Sequence, residues 1–166
     1  MLSWGSEVVP RPAPGSWLAV LRRYLPFVAV ANLAWEVAHL PLYTLWNEES
    51  PREIAFAVVH CTVGDVLIAT AALVLALLLF GDHDWPETRV PQVTAATVVL
   101  GVCYTVFSEW LNIEIRGSWA YSDQMPVVPV IDTGLSPLMQ WIVIPLVAFR
   151  WSRRDAARHS LRTRTP

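Results

Sequence analysis

Glu36 and His39 stand three residues apart inside a long apolar run, a spacing that brings a carboxyl and an imidazole onto one helical face. Three further apolar runs carry polar groups of the same kind. His60, Cys61 and Asp65 fall in the second, Tyr104, Ser108, Glu109 and Asn112 in the third, and Ser136 and Gln140 at the head of the fourth. An ionisable side chain at the centre of a bilayer costs several kcal/mol, roughly 2.5 to 3.5 for Asp on insertion scales, so such residues point to a site.

Three chemistries suit them. A desolvated carboxyl can act as an acid at neutral pH, which would let these residues move protons on a lipophilic substrate. On this reading Glu36 and Asp65 are the acid–base groups, and His39, His60 and Glu109 are relay or ligand groups. Asn32, Tyr104, Asn112, Trp119, Tyr121 and Gln140 would contact the substrate, with Trp35 and Trp110 adding aromatic faces for developing positive charge. The second chemistry is ligation. Glu36-x-x-His39 has the spacing used in di-iron bundles, but those need two such motifs and two more glutamates, and this chain has one. The other forms of that alternative are a haem held between His39 and His60, and one zinc or iron held by residues drawn from Glu36, His39, His60, Asp65 and Glu109. No metal ligand set and no cofactor is assigned. The third is non-catalytic: polar side chains that tie helices together at about 0.6 kcal/mol per hydrogen bond.

Two short patterns carry less. Asp132-Thr133-Gly134 matches the aspartic protease triplet, but that chemistry needs two such loops. Asp82-His83-Asp84 reads as a solvated turn. No phosphate-binding glycine loop or nucleic-acid motif occurs, so nucleic acid is not an expected partner.

The elements that must position these groups are membrane helices. The chain has 166 residues, 54% of them hydrophobic, a mean hydropathy of +0.41 and nine tryptophans, which excludes an ordinary soluble domain. Four stretches, at about 26–46, 54–80, 92–113 and 137–151, approach or exceed the roughly 20 residues needed to span hydrocarbon. The expected fold is therefore all-α: four transmembrane helices in an antiparallel bundle. Residues 1–15, with Pro10, Pro12 and Pro14, read as a disordered tail, 16–151 as one domain, and 152–166 as a basic tail.

Every basic residue is arginine. Ten of the twelve fall on one side if both termini are cytoplasmic, leaving Arg52 and Arg116 on the other. The positive-inside rule then gives an N-in, C-in protein of a bacterial-type inner membrane. Its expected partners are the lipid bilayer, a lipophilic small molecule and a second copy of itself.

Pro26 reads as the start of helix one after a short interfacial helix over 16–24, and Ser50-Pro51-Arg52-Glu53 as a capping box opening helix two. Ser136-Pro137 reads as the cap of helix four. By helical rise, Glu36 and Asp65 both fall near the midplane and the other polar residues in the outer half. The segments below them, 66–80 and 93–102, are nearly all apolar. A single polar pocket under the 114–135 loop is therefore expected. Within that loop, Trp119-Ala120-Tyr121 followed by Gly134-x-x-Pro137 resembles the end of the small heterodimeric membrane carotenoid cyclases. In that family a W-x-Y loop precedes a helix opening with G-x-x-P and adjacent acidic residues; this chain has Gln140-Trp141 at the acidic positions. The resemblance covers residues 119–141 and implies an isoprenoid or lipid substrate.

Overall fold

The computed structural model describes the backbone of residues 16–162 and the side chains of 17–153. The expected tail over 1–15 lies outside the described residues. The chain is mostly helical: α1 (Ser16–His39), α2 (Leu45–Glu48), α3 (Pro51–Phe80), α4 (Val90–Trp110) and α5 (Leu135–Arg162). A 3-10 turn at Leu40–Leu42 follows α1, and a π-helical turn at Leu111–Ile115 extends α4. A two-residue hairpin, β1 (Val127–Val128) with β2 (Thr133–Gly134), completes the list.

Among the described residues three helical stretches are long and apolar enough to cross a membrane: Trp17–Leu42, Pro51–Phe80 and Val90–Ile115. Four were expected. The difference is α5, whose apolar run is diluted by Pro137, Gln140, Pro145 and Arg150. Its Leu138, Trp141, Ile144, Ala148 and Phe149 are buried against other helices. By contrast, α3 leaves Phe56, Val59, Val63, Leu67, Val74 and Leu78 exposed, an apolar surface suited to lipid.

The start of α1 also differs from expectation. One helix runs from Ser16 through Pro26, with no separate interfacial segment. Proline removes only the hydrogen bond to the Arg22 carbonyl, and Arg22 and Pro26 are both exposed, so solvent or headgroups can replace that bond. The far end obeys Pro41: α1 stops at His39 and the chain turns. The capping box is present as expected, with Glu53 N–H donating to Ser50 Oγ at 3.4 Å and Ser50 N–H to Glu53 Oε2 at 3.1 Å. At the other end, α5 continues as helix past Trp151 to Arg162.

α1 packs against α3 and α5, and α4 packs against the same two, so the four long helices form a ring in the order α1–α3–α4–α5. Their core is dense at the end away from the long loop, where Val20, Tyr24, Val28, Leu73, Trp85, Val93 and Phe149 are almost fully buried. Close approach of α4 and α5 depends on Gly101. A Cβ there would lie 2.3 Å from Trp141 Cε3, so the indole rests directly on the α4 backbone. The 81–89 connection is a hydrogen-bonded turn. Asp82 accepts from Thr88 Oγ1 at 2.7 Å and from the Asp84 N–H at 3.1 Å, while His83 lies exposed beside Asp84.

Segment 116–134 folds back over the open end of the ring. Tyr43 pairs with Tyr121 in an isolated β-bridge, Thr44 N–H donates to Ala120 O at 3.0 Å, and Ser122 N–H to Leu42 O at 2.9 Å. Asp132, of the protease-like triplet, is an exposed turn residue of the hairpin with φ 47°. Replacing Gly101 with alanine should lower stability in detergent by about 1–3 kcal/mol, because the indole it would strike is locked between two helices. Thermal unfolding of the purified variant against wild type measures this.

Candidate functional site

Gln140 sits at the centre of the polar groups. Its Nε2 donates to Asn32 Oδ1 at 2.8 Å, to Asp65 Oδ2 at 2.9 Å and to Glu36 Oε1 at 3.2 Å. An amide has two protons, so at least one is shared between acceptors. Asn32 is oriented for this role because its own Nδ2 donates back to the Val28 carbonyl at 2.8 Å, turning Oδ1 toward Gln140. The i, i+4 spacing that puts Asn32 and Glu36 on one stripe of α1 thus aims both at the same amide. Asp65 reaches it from α3 and is also in hydrogen-bonding reach of Glu36.

His39 continues the chain of contacts. Its Nε2 lies 3.3 Å from Glu36 Oε2, and its Nδ1 lies 3.1 Å from Ser136 Oγ. Trp35 Nε1 donates to the same Ser136 oxygen at 3.3 Å. The Glu36 carboxylate can only accept, which assigns the proton to Nε2 and has the Ser136 hydroxyl donate to Nδ1. The assignment follows from the network.

A second carboxyl node lies closer to the loop. Glu109 Oε2 accepts from Tyr121 O–H at 2.5 Å and from Tyr43 O–H at 3.3 Å. Tyr121 oxygen in turn accepts from the Gly134 N–H at 2.8 Å. Gly134 is closely packed: a Cβ would fall 2.9 Å from Met125 Sδ and 3.1 Å from the Tyr121 ring, so those side chains would have to give way. Burial, and then the hydrogen bond to Glu109, push the Tyr121 phenol above its ordinary value. It stays a neutral donor at any physiological pH. The rings of His39, Tyr43 and Tyr121 lie in succession, with centroids 5.3 and 5.5 Å apart, and connect the two nodes.

Between these nodes and the loop lies a cavity of about 540 Å³. Glu36, Asp65, His39, His60, Glu109, Tyr104, Asn112, Trp119 and Gln140 all line it. Asn32 lies behind Gln140, and Tyr121 holds Glu109 from the loop side, so neither faces the opening. Two expected residues stand apart from the network. His60 is exposed at the rim and stacks on Phe56, centroid to centroid 5.6 Å, away from His39. The Asn112 side-chain amide bonds within its own helix, to Ser108 O at 2.8 Å and Ser108 Oγ at 3.3 Å. Trp119 turns its buried indole N–H toward Glu109 without reaching hydrogen-bonding geometry.

Ser136 and Tyr43 had no assigned role in the expected site, although Ser136 heads the fourth apolar run and Tyr43 shares the face of Asn32, Glu36 and His39. Ser136 reads in sequence as a helix cap, and the helix instead begins one residue earlier, releasing its hydroxyl to His39. Tyr43 does continue the 4-3-4 spacing of Asn32, Glu36 and His39. The turn at Pro41 breaks the helix before it, and only the bridge to Tyr121 returns it to the site. Among the described residues no three His, Cys, Asp or Glu side chains converge as a metal site. Cys61 lines the cavity half-buried, whereas Cys103 is exposed on α4. No family model, no curated protein and no solved structure matches this chain.

Two outcomes follow from this geometry. Tyr121→Phe removes both bonds of the phenol and strands the Gly134 N–H, which should cost about 1–3 kcal/mol. Amide exchange over 116–134 should then quicken while α3 is unaffected. His39→Leu should destabilise by a similar amount, because it strips partners from Glu36 and Ser136, whereas His60→Leu should stay within about 0.5 kcal/mol of wild type. Unfolding curves in detergent compare the pair.

Proposed function

We propose that this is a small multi-pass membrane protein whose intramembrane cavity binds or modifies a lipophilic substrate, isoprenoid or lipid, by acid–base chemistry. In this reading α5 completes a four-helix transmembrane bundle of the bacterial inner membrane with both termini cytoplasmic, and the cavity lies in the outward-facing half beneath 116–134. The three apolar helices and the arginine distribution support that placement. The observation that carries the chemistry is the Glu36–Asp65 pair, held by one Gln140 amide at the wall of a cavity large enough for a substrate.

Paired carboxyls are the arrangement in which one group carries a proton and the other accepts one, as general acid and base. His39 backs Glu36 and could renew its proton through the Ser136 hydroxyl. Glu109 fits a positioning role, with its Oε2 taken up by two tyrosines. The haem or metal alternative draws less support, because His39 has both nitrogens engaged and His60 lies apart from it. The assembly alternative gains from the same hydrogen bonds that build the site. It gives no role to the cavity.

The test is the lipid and pigment profile of cells. Deletion of the chain should alter it, and Glu36→Gln or Asp65→Asn should reproduce the deletion profile while the protein still accumulates in the membrane. Variants that restore the wild-type profile in full would leave only the assembly role.

A further inference from the structure

The cavity is short of positive charge. Glu36, Asp65 and Glu109 line it, and the chain has no lysine. Of the basic side chains in its wall, His39 is engaged between Glu36 and Ser136, and His60 and Arg116 are exposed at the rim. Carboxyl groups taken out of water need compensation by protons, hydrogen bonds or a cation. The hydrogen bonds present are few for three such groups: one Gln140 amide serves both Glu36 and Asp65, His39 Nε2 adds one contact to Glu36, and both tyrosine bonds fall on the same oxygen of Glu109.

The lining also carries aromatic rings beside these acids. Phe56, Tyr104, Trp119 and Trp141 contribute rings to it, and such rings attract organic cations through their faces. The opening has a direction as well. Phe56 and His60 on α3 and Tyr104 on α4 line the cavity, yet Phe56 is 70% and Tyr104 46% exposed. α3 and α4 are neighbours in the ring, and the residues flanking this gap, Val59, Val63 and Phe107, are exposed and apolar. By helical rise His60 lies about 13 Å below the loop end of α3 and Tyr104 about 9 Å below the end of α4, both within hydrocarbon. Over the loop end itself, segment 116–134 is tied down by backbone hydrogen bonds.

We propose that the cavity takes up a lipophilic ammonium compound, an amine or quaternary ammonium on a long apolar chain, sideways from the membrane. The cationic head would lie among Glu36, Asp65 and Glu109, and the chain would leave between α3 and α4 past Phe56 and Tyr104. This rests on the membrane placement given above and names the substrate class for the same cavity.

The full chain in phosphatidylcholine nanodiscs is titrated with dodecyltrimethylammonium, dodecanol or dodecyl sulfate, and empty nanodiscs give the partition blank. The ammonium should show saturable binding above the blank, and the alcohol and the sulfate should show none. Asp65→Asn should weaken ammonium binding by about tenfold or more, the scale of one lost charged contact. Tyr104→Ala, an exposed change that disturbs no core packing, should also weaken it and serves if the Asp65 variant does not fold. Absence of saturable ammonium binding, equal binding of dodecanol, or unchanged affinity in Tyr104→Ala would overturn the proposal. Absence of saturable ammonium binding by the wild-type chain, together with an altered lipid profile in Glu36→Gln cells, would remove this substrate class and leave the acid–base reading standing. The reverse pair of results would keep the binding site and remove the chemistry.

Discussion

One side-chain amide holds the polar half of this protein together. Gln140 projects from α5 and donates to residues of both α1 and α3. α3 and α5 lie diagonally across the ring and have little direct packing. The Gln140–Asp65 bond crosses that diagonal, so it does what apolar contacts do at the other end of the molecule. A buried donor left without acceptors costs about 1–3 kcal/mol. The geometry of Asn32, Glu36 and Asp65 is therefore mutually enforced: each acceptor has the amide as its anchor, and the amide has no other partners among the described residues.

From this follows the division of the ring into two ends. Away from the loop, small and branched residues such as Ala69, Ala76 and Val93 allow tight packing, and Gly101 lets Trp141 lie flat on α4. Toward the loop, polar side chains cannot interdigitate in that way, because each must meet a partner in a particular direction. Space is left between them, and the cavity is that space. The loop closes over it through a second enforced set, in which the Gly134 N–H, the Tyr121 phenol and the Glu109 carboxyl are joined in series. The hairpin thus reports directly on a carboxyl in the cavity wall. Any ligand that moves Glu109 would be felt in the fold of 116–134.

Much of the secondary structure was legible in the chain itself. Apolar length gave the helices, proline and the Ser50–Glu53 box gave several of their ends, and the 4-3 spacing of Asn32, Glu36 and His39 gave a shared face. These are local properties: they depend on hydrogen bonds and side-chain directions within one or two turns. Pro26 was the exception. A proline at a helix start and one inside an exposed helix are distinguished by the solvation of a single carbonyl, which local sequence does not encode.

The sequence by itself determined which side chains are polar within apolar segments, and on which helical stripe each lies. Only the tertiary structure decided which of them meet. Gln140 gathers Asn32, Glu36 and Asp65, while His60, equally buried in an apolar run, turns outward to Phe56. Ser136 proved to serve His39, and Tyr43 was returned to the site by pairing with Tyr121 across the loop. The physical reason is that helix rotation and neighbour order are set by packing summed over all four long helices. A residue's own segment specifies its stripe, and the partner of that stripe is chosen by contacts far away in the chain.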